Sequence, residues 1–163
     1  MGTRTGDLDP AIILHIMARE GLTLHEANTL MNKHSGLAGI SGVSSDMREI
    51  IESAKENHSN SKIALEAYCY RLRKYIAAYA AALGGVDSLV FTAGVGENSP
   101  DVRSLSCDKL EFIGIELDKT RNNQAIGKEM DISSDDATVR TLVIPTNEEL
   151  VIARDTKRIV SEG

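Results

Sequence analysis

The chain has 163 residues, 42% of them hydrophobic and 26% charged, with a formal net charge of -6, which is enough chain to bury one core. Acidic and basic residues are interspersed, so neither a nucleic-acid backbone nor an anionic membrane surface is the expected partner. The amino terminus lacks a basic-then-apolar leader, no run approaches the ~20 apolar residues of a membrane helix, and Cys69 and Cys107 form neither a CxxC pair nor a Cys/His cluster. A cytoplasmic chain with reduced, buried thiols is expected.

Asp9 before Pro10 predicts an N-cap with proline in the first turn. Ile12, Ile13, Ile16 and Met17 then form one apolar face as far as Glu20, where Gly21 stops the helix. Thr23 and Glu26 are spaced as a capping box and open a second helix running to His34–Gly36. The glycine-rich stretch 36–43 reads as a tight apolar loop. Ser44 or Ser45 is the expected cap of a third helix through Glu56. A long Ala/Leu-rich helix follows from Ser61 to Leu83, with Ile63, Ala67, Tyr70, Tyr75, Ile76 and Tyr79 as its apolar contacts and Gly84-Gly85 as its end.

Residues 88–92 read as a short buried parallel strand between turn signals, and Ser99-Pro100 caps the helix after it. Residues 112–117 suit a short strand or an apolar loop, and 118–134 show little beyond polar turns. Residues 141–145 repeat the strand signature, and a terminal helix starts at Thr146–Glu149. Two strands make a poor sheet, so further strands are expected from upstream chain or from another copy.

The strand at 88–92 delivers Gly94, Val95, Gly96, Glu97 and Asn98 at its carboxyl end, where α/β sheets bind ligands. Two glycines there admit a nucleotide close to the backbone, although strand-to-helix turns also use glycine for purely conformational reasons. The spacing is neither that of a Walker loop nor that of a dinucleotide fingerprint.

The segment 90–99, Val-Phe-Thr-Ala-Gly-Val-Gly-Glu-Asn-Ser, resembles the adenosine-binding segment of acetate kinases, members of the actin-like ATPase superfamily. Three further segments resemble that family in the same order: 1–10 its arginine-bearing loop, 35–48 its serine-glycine segment ending in Asp-Met-Arg, and 145–150 its metal-associated carboxylate segment. The resemblance implies an α/β fold, specifically an incomplete actin-like ATPase (ribonuclease H-like) carboxy-terminal domain. That domain would be mostly helical, with short parallel strands near 88–92 and 141–145, and residues 1–163 would be its carboxy-terminal part.

The same resemblance implies that Arg4 stabilises charge on the phosphoryl group in flight. Phosphoryl transfer suits that role because positive charge on the equatorial oxygens is the main catalytic lever. It assigns Asp46, Met47 and Arg48 to the nucleotide pocket together with Gly94–Asn98, and it makes Glu148 the holder of Mg2+ on the phosphates of ATP or ADP. Plainer readings stand beside these: Asp46 and Glu148 suit a helix start, and Arg48 can pair with Glu52 one turn on. Acetate and acetyl phosphate are the implied partners, and a homodimer is the implied assembly.

Acetate kinases extend over a much longer chain. Their amino-terminal phosphate segment, most acetate-contacting residues and a His-Leu-Gly-Asn-Gly-type loop find no match here, so this chain alone is expected to be inactive. A butyrate- or propionate-type kinase portion and a non-catalytic helical interaction domain are the alternatives.

Overall fold

The computed structural model describes residues 1–162. The chain divides into two compact units, Met1–Leu72 and the remainder from Arg73, with the boundary inside one long helix.

In the first unit, α1 (Pro10–Glu20) starts on Asp9, whose carboxylate accepts the Ala11 amide at 2.9 Å, and it ends on Gly21 in the left-handed region. In α2 (Leu24–Lys33) the expected capping box is present in both directions: the Thr23 amide donates to Glu26 at 2.8 Å and the Glu26 amide to Thr23 Oγ1 at 3.3 Å. The stretch expected as an apolar loop contains instead a six-residue helix, α3 (Gly36–Ser41). Its glycines serve close approach. Gly36 has φ +60°, and a Cβ there would lie 2.6 Å from Met1 O and 2.7 Å from Arg4 O.

That contact anchors the amino-terminal segment, whose carbonyls accept α3 and pre-α3 amides. Leu37 donates to Met1 O at 3.0 Å, Ala38 to Gly2 O at 2.9 Å and Ser35 to Thr3 O at 2.9 Å. Asp46, rather than Ser44 or Ser45, caps α4 (Met47–Lys55): the helix begins one residue after it and its carboxylate accepts the Arg48 amide at 2.9 Å, while Ser44 Oγ accepts the Asp46 amide at 3.0 Å. The core of this unit is built on Ala27, Leu37, Met47, Ile50, Ala54, Ala64 and Cys69.

The long helix α5 covers Ser59–Leu83, close to the expected span. Its inward side differs from expectation: Ala64 and Cys69 are buried, whereas Ile63, Tyr70, Tyr75 and Tyr79 are exposed. The helix thus buries small side chains, keeps Tyr68 half-buried and presents Tyr70, Tyr75 and Tyr79 outward, with the Tyr75 and Tyr79 rings stacked.

The second unit holds a three-stranded sheet ordered β1-β3-β2. β1 (Ser88–Phe91) runs parallel to the central β3 (Arg140–Val143), with Phe91 opposite Val143. Both expected strands are therefore present and parallel. β1 is an edge strand in which only Phe91 is buried, which corrects the expectation of a buried strand. The third strand, β2 (Met130–Asp131), is antiparallel and falls where polar turns were expected; two residues are too few to show a periodicity.

Between these strands lie α6 (Ala93–Asn98), α7 (Pro100–Cys107) and α8 (Lys119–Gln124), and α9 (Glu148–Glu162) closes the chain. Ser99 caps α7 as expected, accepting the Val102 amide at 3.3 Å. Residues 112–117 form neither a strand nor a plain loop: a 3-10 turn at Glu111–Ile113 exposes Phe112 and leads to the buried Ile115. Cys69 and Cys107 are buried and form no disulfide, and burial pushes the Cys107 thiol up to about 12.

Substituting Gly36 by alanine tests the anchoring contact. A side chain on a left-handed residue facing two carbonyl oxygens is expected to cost about 1–3 kcal/mol. Denaturant unfolding should read that loss, and amide exchange should show Leu37 and Ala38 losing protection first.

Candidate functional site

The segments singled out from sequence fall two in each unit. In the second unit, the stretch expected as an open glycine loop is the short helix α6, entered through a strained residue: Ala93 has φ +58°, a left-handed conformation uncommon for alanine. The two glycines do different work. A Cβ on Gly96 would lie 3.3 Å from the Phe91 carbonyl carbon, so Gly96 lets the turn pack on β1. A Cβ on Gly94 would meet nothing within 4 Å, and Gly94 is exposed. Val95 is half-buried between them, and exposed Asn98 donates from Nδ2 to Gly94 O at 3.0 Å, bracing the turn.

Beneath this turn lies Arg103, on α7 and 0% exposed. Its Nη1 donates to Gly96 O at 2.7 Å and Glu97 O at 3.1 Å, its Nε to Asn122 Oδ1 at 2.7 Å, and its Nη2 to the carbonyls of Asn122 and Ala125 at 2.7 Å each. Asn122 in turn donates to Pro100 O at 3.0 Å. Burial pulls the Arg103 pKa down, yet a guanidinium stays charged at neutral pH, and every partner is an oxygen acceptor. Sequence reasoning passes over Arg103. The signal that marks it is a charged side chain between buried Val102 and buried Ser106 on one helix.

Glu97 is expected from sequence to face the nucleotide, but its side chain turns inward. It is 9% exposed, and its Oε1 accepts the Thr146 amide at 2.6 Å and the Thr146 hydroxyl at 2.9 Å. The Thr146 amide holds this carboxyl below the usual carboxylate range against the opposing effect of burial. Glu148 is exposed at the first position of α9, two residues after Thr146, and Asn147 caps that helix by accepting the Leu150 amide at 3.0 Å. Among the described residues no group of three or more His, Cys, Asp or Glu side chains is placed to hold a metal ion.

In the first unit, Arg4 is exposed on the segment anchored by Gly36. That segment runs beside the α4 start, since a Cβ on Gly2 would lie 3.4 Å from Ser45 Cβ. Asp46 and Arg48 pair directly, Nη2 to Oδ2 at 2.6 Å and Nε to Oδ1 at 3.1 Å, whereas a pairing of Arg48 with Glu52 was the expected alternative. Met47, which the resemblance assigns to the nucleotide pocket, is 5% exposed and its side chain belongs to the core. It therefore supports α4 from within.

A family model of the acetokinase family matches residues 1–154. The chain belongs to the acetokinase family. It is 57% identical over 164 residues to the acetate kinase of Thermotoga maritima and 52% identical over 160 residues to that of Alkaliphilus metalliredigens. These alignments take in 99% and 98% of this chain but only 41% and 40% of those acetokinases, so the chain spans about 40% of the length of the curated relatives it matches. Among solved structures it is similar to Porphyromonas gingivalis acetate kinase, with a TM-score of 0.90 at 48% identity over 98% of this chain and 40% of that one. A propionate kinase from Francisella tularensis gives 0.84 at 38% identity over 94% of this chain and 38% of that one.

Two measurements check this geometry. Replacing Arg103 by leucine leaves carbonyls of the turn without a donor, and about 3 kcal/mol or more of stability should be lost in denaturant unfolding. Lysine, which cannot fork, should restore only part of it. For Asp46, hydrogen bonds from the Arg48 side chain and amide hold the carboxyl at about 2, below its ordinary 3.8. Its stabilising contribution is complete above pH 3.8 and lost as the pH falls through about 2. A carbon-detected NMR titration should find that low midpoint, and Arg48→Gln should move it up towards the ordinary value.

Proposed function

We propose that this chain is the nucleotide-binding portion of an acetate kinase whose complete form reversibly transfers the γ-phosphoryl group of ATP to acetate, giving acetyl phosphate and ADP. The observation that carries the reading is the turn at Gly94–Asn98. It lies at the carboxyl end of a parallel strand, is open on the Gly94 side, and is clamped from beneath by a buried arginine. Such a turn offers backbone to a ligand without having to reorganise, which is what binding a flat base or ribose requires.

On this reading Gly94 and its neighbours receive the nucleoside, while Asp46 and Arg48 contribute polar groups to nucleotide binding. Arg4, exposed on an anchored backbone, supplies the positive charge that the transferring phosphoryl needs on its equatorial oxygens. Glu148 would hold Mg2+. One exposed carboxylate fits an ion that keeps several waters and takes its remaining ligands from nucleotide phosphates, and it does not fit a cage made by protein alone. When bound, the ion would neutralise charge on the β- and γ-phosphates.

The edge position of β1 supports further strands contributed by the rest of the protein, in an actin-like domain of which this chain is the carboxy-terminal part. A homodimer in the cytoplasm completes the proposal, with the outward tyrosines of α5 as part of the dimer surface. The likeness to a propionate kinase supports a second reading, in which the acceptor is a slightly longer carboxylate.

Titration of the nitrogen-labelled chain with Mg·ATP tests the reading. Saturable shifts are expected at residues 94–98, and Gly94→Val should weaken binding more than tenfold without lowering the melting temperature. Gly96→Ala should lower the melting temperature as well. Titration curves indifferent to Gly94→Val would overturn the assignment. Acetyl phosphate formation by the purified chain would overturn the expectation that it is inactive alone.

A further inference from the structure

The parallel ladder between β1 and β3 breaks off in a particular way. The Arg140 amide donates to Asp87 O at 3.1 Å and the Ile144 amide to Phe91 O at 2.9 Å. Pro145 then has no amide to give. The next donor in the same register is Thr146, and the strand residue that would accept from it is Ala93. At Ala93, however, the chain has already left the strand, turning through φ +58° into α6. The Thr146 amide would be stranded at the end of the ladder. It donates instead to Glu97 Oε1 at 2.6 Å, joined there by its own hydroxyl at 2.9 Å. Glu97 thus substitutes for the missing strand acceptor and ties the glycine turn to the residue two places before Glu148.

We infer that Glu97 is a positioning residue: its carboxylate straps Thr146 to the glycine turn, so that the turn receiving the nucleoside also sets where Asn147 and Glu148 stand. The inference rests on the proposed nucleotide reading for what Gly94 and Glu148 do, but the strap itself does not. A carboxylate oxygen suits the place, because the Thr146 amide can only donate and the Thr146 hydroxyl donates to the same oxygen. Alanine would leave the Thr146 amide without its partner.

The test uses the 163-residue chain and two readouts. The first needs no nucleotide. In Glu97→Ala, amide exchange at Thr146, and at Leu150 in the turn after it, should quicken at least tenfold relative to the amides of β3. Thr146→Ser, which keeps both donors, should preserve protection. Unchanged exchange at Thr146 in Glu97→Ala would overturn the strap.

The second compares ADP affinity with and without Mg2+. Glu97→Ala should lose most of the magnesium-dependent gain while weakening metal-free ADP much less. Glu148→Gln should show the same pattern, and the double variant should add nothing to either, as expected for residues acting as one unit. Equal loss of metal-free and magnesium-supported affinity in Glu97→Ala would make Glu97 a direct ligand and overturn the inference. A wild-type chain that binds no ADP overturns the nucleotide reading, and the exchange result then decides the strap by itself.

Discussion

The second unit depends on one buried cation. Arg103 places a full guanidinium in a fully buried site and directs it only at oxygen acceptors, four of them backbone carbonyls. Burying a charge is costly unless its hydrogen bonds are all made, and here they are made by three stretches of chain: the glycine turn, the middle of α8 and the residue that ends it. The turn that meets the ligand, on the proposed reading, is therefore held from the protein side by α7 and α8. Its geometry is an output of the unit's core more than of its own residues.

This arrangement explains why some features are legible in the sequence and others are not. The caps at Asp9-Pro10, Thr23/Glu26 and Ser99-Pro100 work through residues three or fewer apart, and each stands where the spacing puts it. The parallel strands carry their signal in a compact apolar run. By contrast, α3 is shaped by Gly36 meeting carbonyls more than thirty residues earlier in the chain, and Arg103 finds Asn122 and Ala125 well beyond its own helix. Nothing within a local window records such partners. Met47 shows the converse: the motif around it suggests an apolar side chain offered to a ligand, and the amphipathic face of α4 turns it inward.

The motif residues also divide by what they touch. Gly94 opens on solvent while Gly96, two positions on, is filled by β1, so one short motif contains both a binding surface and a packing contact. Glu97, from the same five residues, serves neither purpose and joins two motifs to each other. In the first unit, Asp46 and Arg48 already satisfy one another, so a ligand that recruits either must compete with a charge-assisted pair. That pair is solvent-exposed, where such competition is mild.

The strap on Thr146 has a consequence for α9 as a whole. Every side chain described along that 15-residue helix is exposed, including Leu150, Val151, Ile152, Ile159 and Val160, so little packing within this chain sustains it. For a helix of that length the expensive event is nucleation, the fixing of a first turn before hydrogen bonds accumulate, and elongation afterwards is nearly neutral. The Asn147 cap closes that first turn by accepting the Leu150 amide, and Glu97 holds the residue just before the cap. A single carboxylate, 49 residues upstream of the threonine it holds, in this way fixes the place from which a helix with no packed face sets out.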